Sequence, residues 1–215
     1  MFITLEGIEG CGKTTQIELL ANWLKENGTS VVVTYEPGDT DLGNSIRSLI
    51  LDNHIDLSPN TELFLYLADR IEHVRRVIEP ALKDGKIVLC DRYHDATIVY
   101  QGYGRKISID FIQSCFNFLK FPLPDLTLLL DCPVEVGLSR IEKRPLDRLE
   151  LENADFHERV RKGYLNLARA EPKRIKIIDA TRPIYSVQED IRKIVQNYIE
   201  NCTKSKLFDV SYITI

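Results

Sequence analysis

The chain's pattern predicts a doubly wound α/β fold, a five-stranded parallel sheet flanked by helices. Three observations carry that reading. Apolar runs rich in Val, Ile and Leu recur at 2–6 (FITLE), 30–35 (SVVVTY), 86–91 (KIVLCD), 126–132 (LTLLLDC) and 174–180 (RIKIIDA). These runs are near-continuous rather than alternating, as strands covered on both faces are. Segments of helical periodicity separate them, and strand–helix alternation along a whole chain implies a parallel sheet with ligands at the strands' carboxyl ends.

The first element reads as a buried strand followed by GIEGCGKT, residues 7–14. That string satisfies G-x-x-x-x-G-K-[ST] in full, and its flanks are those the chemistry requires. Ile17, Leu20, Ala21 and Leu24 follow at helical spacing, and Gly28 suits the helix C-terminus. Gly7, Gly10 and Gly12 let backbone N–H groups approach oxyanions, with Ile8, Glu9 and Cys11 completing the loop. Lys13 then reaches the β/γ-phosphates and Thr14 ligates Mg²⁺. The motif implies a nucleoside triphosphate site.

Further along, Leu42, Ile46, Leu49 and Ile50 form one helical stripe. Leu63, Leu67, Ile71, Val74 and Ile78 form another, opened by Ser58 as cap and Pro59 in the first turn. The third strand ends in Asp91, where a triphosphate-binding protein places the carboxylate that holds Mg²⁺. Asp131, ending the fourth strand, is a rival, but Arg92 and Tyr93 after Asp91 favour the earlier position. Asn153 caps a helix carrying Phe156, Val160, Tyr164 and Leu167, closed by Pro172. Neither linker nor repeat is visible, so residues 1–215 read as one domain. The tail KLFDVSYITI (206–215) is β-rich and fits an extra edge strand or a frayed end.

Composition narrows the function classes. A formal charge of −4 over 215 residues makes no bulk electrostatic case for nucleic acid or a membrane surface. Apolar runs fall well short of the ~20 residues of a membrane span, and a secretory leader is not expected. Five scattered cysteines without a C-x-x-C pair fit reduced thiols in a cytoplasmic protein rather than disulfides or zinc. Among them Cys11 is expected to be the reactive one, lying beside Lys13 at a helix N-terminus. The D-x-x-G and N-K-x-D strings of GTPase switches do not occur.

The segments FITLEGIEGCGKTTQ, EPGDTDLGNSIRSLILD, DRYHDATIVYQGYGR and LDRLELENADFHERVRKGYLNLA resemble the thymidylate kinase family in its bacterial form, over nearly the whole chain. The triphosphate loop is shared by many NTPases; Asp91-Arg92-Tyr93 followed by YQGYGR (100–105) is far more discriminating. The resemblance implies a P-loop NTPase fold of the nucleoside monophosphate kinase type, phosphorylation of dTMP by ATP with Mg²⁺, and a homodimer. It implies that Arg47 and Arg92 grip the acceptor phosphate, with Glu36 nearby. Tyr66 stacks on thymine and Arg70 bonds a thymine oxygen, with Thr97 and Gln101 at the base edge. Tyr100 crowds the 2′ carbon, and Glu9 reaches the acceptor's sugar or its metal.

The resemblance also makes residues 139–152 a lid over ATP, rich in Arg140, Lys143, Arg144 and Arg148. In the bacterial form a lid arginine supplies the transition-state contact; Gly10 stands in the loop where other members carry arginine, so the role falls to Arg148 first and Arg144 second. Three departures stand out. Tyr35 replaces an arginine and Asp39 a glycine in YEPGDT, Tyr66 replaces a phenylalanine, and the lid is a residue shorter than in some relatives. Alternatives remain in another deoxynucleotide or deoxynucleoside kinase, or a nucleotide-binding regulatory protein without catalysis.

Overall fold

The computed structural model describes residues 1–210, with 203–210 described by backbone alone. Five strands alternate with helices: β1 (Phe2–Glu6), α1 (Lys13–Glu26), β2 (Val31–Tyr35), α2 (Asp41–Leu51) and α3 (Pro59–His73). A π-helical stretch, Val74–Ile78, joins α3 to the short α4 (Glu79–Lys83), and β3 (Ile87–Asp91) follows. Next come α5 (His94–Thr97), continued by a π-helical stretch to Gly104, then α6 (Ile109–Leu119) and β4 (Leu126–Asp131). The chain goes on through α7 (Val134–Ser139), α8 (Ala154–Ala170), β5 (Ile175–Asp179) and α9 (Ile184–Val210).

The sheet is parallel throughout, in the order β2-β3-β1-β4-β5. β1 is therefore central, and the chain winds outward from it in both directions. Such a switch point leaves a crevice beyond the strands' carboxyl ends, where the loops of neighbouring strands diverge. Leu5 lies opposite both Asp91 and Leu128, so the residues after β1, β3 and β4 emerge side by side.

Caps form where the sequence offers them. Ser58 accepts from Thr61 N–H, and Asn153 Oδ1 accepts from Phe156 N–H at 2.9 Å. The main core joins the inner faces of α1, α8 and α9 to the sheet through Leu20, Leu24, Val160, Ile191 and Val195. A second cluster packs α3 on α6 through Leu63, Leu67, Ile112 and Phe116.

Two expectations change. β2 is an edge strand, so its side chains are not uniformly covered, and Val33 and Tyr35 are exposed. The segment 206–210 continues α9 rather than adding a strand, because no glycine or proline interrupts the chain after Ile184. Residues 211–215 of that expected strand lie outside the described residues.

Candidate active site

A cleft of about 1290 Å³ runs along the carboxyl edge of the sheet, from the segment after β5, past the loop after β1, to the ends of β3 and β2. Its middle is the glycine loop. Gly7 has φ 140°, and a Cβ there would lie 2.4 Å from the Leu130 carbonyl oxygen. At Gly10 (φ 69°) a Cβ would come within 1.9 Å of the Gly137 carbonyl oxygen, so only glycine fits. Gly12 precedes α1 with no side-chain cap, leaving the helix's first N–H groups for an anion.

Lys13 curls back over the loop and donates to the carbonyls of Gly7 at 3.2 Å and Ile8 at 3.0 Å. It is buried, because those carbonyls hold the ammonium against the loop. Thr14 is exposed, and its hydroxyl donates to Asp91 Oδ2 at 3.2 Å. The rival Asp131 is held by Arg161 through bonds of 2.8 and 2.9 Å. The expectation for Cys11 fails: the residue is 2 % exposed and belongs to the hydrophobic core, its side chain packed beneath Gly7.

Arg92 links this loop to the far end of the cleft. Held at φ 65°, it donates to the Gly7 carbonyl at 3.0 Å and to Glu9 Oε1 at 3.1 Å. Its guanidinium stands 4.9 Å from the centre of the Tyr100 ring. Glu9 also accepts the Tyr100 hydroxyl at 2.6 Å, with His157 3.4 Å away. Burial works against the Glu9 charge, but Arg92, His157, Lys13 and Tyr100 together overcome it and hold the carboxyl at about 2. Glu9 is thus a fixed anion beneath the arginine.

The far end gathers residues from the loop after β2, from α2, α3 and α5, and from the π-helical stretch after α5: Glu36, Arg47, Tyr66, Arg70, Thr97, Tyr100 and Gln101 all line it. Arg47 donates to the Pro37 carbonyl at 2.7 Å, with its guanidinium 5.4 Å from the centre of the Tyr35 ring. The tyrosine standing where the family has arginine thus gives Arg47 an aromatic platform. Arg70, 1 % exposed, donates to Glu36 Oε2 at 2.7 Å and to the Tyr93 carbonyl at 2.9 Å. His73 bonds the other oxygen of Glu36 at 2.8 Å. Arg70 Nη1 and Thr97 Oγ1 are buried without protein partners. Asp39, where the family has glycine, adopts φ 61° and accepts from the Thr34 hydroxyl.

The segment 140–152 folds as turns over the cleft. Arg140 bonds the carbonyls of Gly10 and Ala180, and Arg144 lines the cleft while forking onto Glu150. Arg148 faces elsewhere: its Nε donates to the Ile50 carbonyl at 2.8 Å, and Nη2 lies 2.7 Å from Glu62 Oε2. Sequence reasoning passed over Glu62, His73 and His157, which lie far along the chain from their partners. It also passed over Thr181–Ile184, which closes the cleft beside α1 through a Gln16 bond to the Ile184 carbonyl. The position of that segment just beyond the carboxyl end of β5 was the available signal.

A glycine loop at an uncapped helix N-terminus and an arginine-lined chamber share a single cleft and are joined by Arg92. This defines a phosphotransferase of the P-loop class. Comparison with known proteins narrows the class. The family model described as thymidylate kinase matches residues 5–191. The chain is 52% identical over 197 residues to a thymidylate kinase of Desulfosudis oleivorans, covering 87% of this chain and 92% of the relative. It is 46% identical over 207 residues to one from Geobacter sulfurreducens, covering 92% and 97% respectively. Among solved structures, thymidylate kinase from Ehrlichia chaffeensis superposes with a TM-score of 0.74 at 37% identity, covering 91% of this chain and 98% of that one. The chain belongs to the thymidylate kinase family.

Proposed function

We infer that this chain transfers the γ-phosphoryl group of ATP to dTMP, giving dTDP and ADP. The observation that carries the reading is Arg92, bonded at once to the phosphate loop and to Glu9 and stacked on Tyr100 at the mouth of the second chamber. An oxygen of the dTMP phosphate attacks the γ-phosphorus, and the bond from that phosphorus to the β,γ-bridging oxygen breaks. The attacking phosphate is already ionised, so positioning and charge neutralisation are the main requirements.

The place of each residue supports the part we assign to it. The loop N–H groups and Lys13 take the donor phosphates. Arg92 and Arg47 take the acceptor phosphate, for which forked guanidinium donors are well matched. Tyr66 stacks on the base, while Arg70 Nη1, Thr97 and Gln101 offer polar atoms to its edge. Tyr100, held by Glu9, fills the space a 2′-hydroxyl would need. Among lid arginines we assign the phosphate contact to Arg144, because it lines the cleft while Arg148 rests against Glu62.

Thr14 and Asp91 are suited to a hard divalent cation, since a hydroxyl and a carboxylate 3.2 Å apart supply the one or two protein oxygens that Mg²⁺ ordinarily takes beside phosphate oxygens and water. Bound there, the cation would neutralise charge on the β- and γ-phosphates. Among the described residues no helix is long and apolar enough to cross a membrane. A cytoplasmic setting fits Cys11, Cys90, Cys115 and Cys132, which form no disulfide. Homodimerisation fits the exposed apolar residues Phe64 and Ile71 on α3 and Phe111 and Phe118 on α6.

The test is an acceptor panel with Mg·ATP: dTMP, dUMP, dCMP, dGMP and thymidine at equal concentration. The highest kcat/KM belongs to dTMP. A higher value for any other acceptor, or ATP binding without transfer to any of them, overturns the reading.

A further inference from the structure

Behind the wall of the cleft lies a buried ionic cluster that the reaction itself does not use. Its centre is Glu62, fully buried in the first turn of α3. Oε1 accepts from the Gln101 side-chain amide at 2.8 Å and from Arg105 Nε at 3.1 Å. Oε2 accepts from Arg105 Nη2 at 3.0 Å and faces Arg148 Nη2 at 2.7 Å. Arg105 continues to Glu152, and its guanidinium stands 4.9 Å from the centre of the Phe156 ring. Burial opposes the Glu62 charge, but hydrogen bonds from Arg105 and Gln101 outweigh it and keep the carboxyl below its ordinary range.

The partners of this one carboxylate come from two places with different duties. Gln101 lines the cleft at the acceptor end. Arg148 belongs to the segment that covers the cleft, and that segment docks on the end of α2 beside Glu62. Arg148 Nε bonds the Ile50 carbonyl, Arg148 N–H faces the Leu51 carbonyl at 3.4 Å, and Asn53 bonds the Leu146 carbonyl at 2.9 Å. Arg105 divides between Glu62 and Glu152, so Glu62 is the carboxylate that pairs Arg148, and Arg148 stays docked only while that carboxylate is ionised and correctly turned. Gln101 helps fix that turn, because its amide takes Oε1 while Oε2 is shared between Arg105 and the lid's Arg148.

We propose that Glu62 is a positioning residue that couples the acceptor chamber to the lid, holding Gln101 on one side and Arg148 on the other. This rests on the acceptor reading given above. When an acceptor base engages Gln101, the carboxamide is fixed, the Glu62 carboxylate is fixed with it, and Arg148 is held against α2. The lid then covers the cleft chiefly when the acceptor is present, which limits transfer of the phosphoryl group to water.

The experiment follows tryptic cleavage after Lys143, an exposed lid residue, in wild type and Glu62→Gln at saturating dTMP and without it. Calorimetry fixes the dTMP affinity of each protein. In wild type, dTMP slows cleavage on the order of tenfold. In Glu62→Gln, which keeps the shape but loses the charge, dTMP still binds with a raised KM, the KM for ATP is unchanged, and the protection disappears. Protection of wild-type size in Glu62→Gln overturns the proposal, as does its absence from wild type that binds dTMP. If Glu62→Gln fails to fold, Arg148→Ala is read in the same assay. Loss of dTMP protection there supports the coupling, and retention of it overturns the coupling. Wild type that does not bind dTMP at all overturns the acceptor reading instead, so the two failures are distinguishable.

Discussion

At the scale of single residues, the chemistry rests on charges that the backbone has already aimed. Lys13 bonds two carbonyls of its own loop, so the ammonium is held in the place we assign to the donor phosphates. Lys13→Ala should cut kcat by ~10²-fold or more, as loss of a preorganised charge donor does, while the thermal unfolding midpoint stays near wild type. Turnover close to wild type would remove the loop from the mechanism. Asp69 gives a second test, through pH. It accepts the Gly38 N–H at 3.0 Å, its other oxygen is buried without a partner, and burial and then Glu36 push its carboxyl from 3.8 up to about 7. Between those values the unfolded chain loses the proton and the folded chain keeps it. Stability attributable to Asp69 therefore falls as pH rises from 4 to 7, with no further loss above that window. Asp69→Asn keeps an acceptor for Gly38 and should flatten that part of the pH–stability profile, leaving the variant more stable than wild type at pH 8. An identical slope in both proteins across pH 4–7 would contradict the assignment. The places of Lys13 and Thr14 were legible because their identities sit at fixed offsets within one strand–loop–helix unit, and that of Asp91 because an acid ends the apolar run of β3. Cys11 was misread because a loop position in sequence says nothing about the side on which its thiol packs.

At the scale of elements, the sequence located every strand to within a residue at either end. Continuous Val/Ile/Leu runs are a short-range signal, and helices covering both faces of a parallel sheet are what they require. The lid was harder. Its basic residues were visible, but their directions depend on contacts with α2 and α3, nearly a hundred residues away. Charge counting could not separate Arg144, which faces the cleft, from Arg148, which faces Glu62. The separation has kinetic consequences. Arg144→Ala should lower kcat on the order of 10²-fold or more with a small change in the KM for dTMP, since an inserted arginine acts mainly on the transition state. Arg148→Ala should instead raise the KM for dTMP more than it lowers kcat. Steady-state kinetics with dTMP varied at saturating Mg·ATP read both. The reverse pattern would return the catalytic contact to Arg148.

At the scale of the whole molecule, one apolar face is left exposed among the described residues. α3 and α6 bury Leu63, Leu67, Ile112 and Phe116 between them, and their outer sides carry Phe64 with Ile71 and Phe111 with Phe118, each pair seven residues apart and hence on one helix face. Phe64 and Phe111 meet edge to face with ring centres 6.4 Å apart, so the two helices present a joint surface. Phe118, 84 % exposed, is the most extreme of these. An aromatic side chain left in water forgoes about 1.5–3 kcal/mol of burial, and a two-fold partner offering the same face would recover that at both copies. The face is also tied to the cleft, because α3 carries Tyr66 and Arg70, which line it, and Glu62 on its inner side. A second copy packed on the outer side would stiffen the helix that reads the acceptor. Phe118→Lys changes a residue that makes little contact within its own chain, so the subunit should keep its unfolding midpoint. The assembly should not survive it, since the interface would then have to bury two ammonium groups. In sedimentation velocity, wild type should run at twice the 24.7 kDa of the chain and Phe118→Lys at that mass itself. The KM for dTMP should rise in the monomeric variant while the KM for ATP holds. Wild type that sediments as a monomer at micromolar concentration, or a variant that stays dimeric, would show that this face is not where two copies meet.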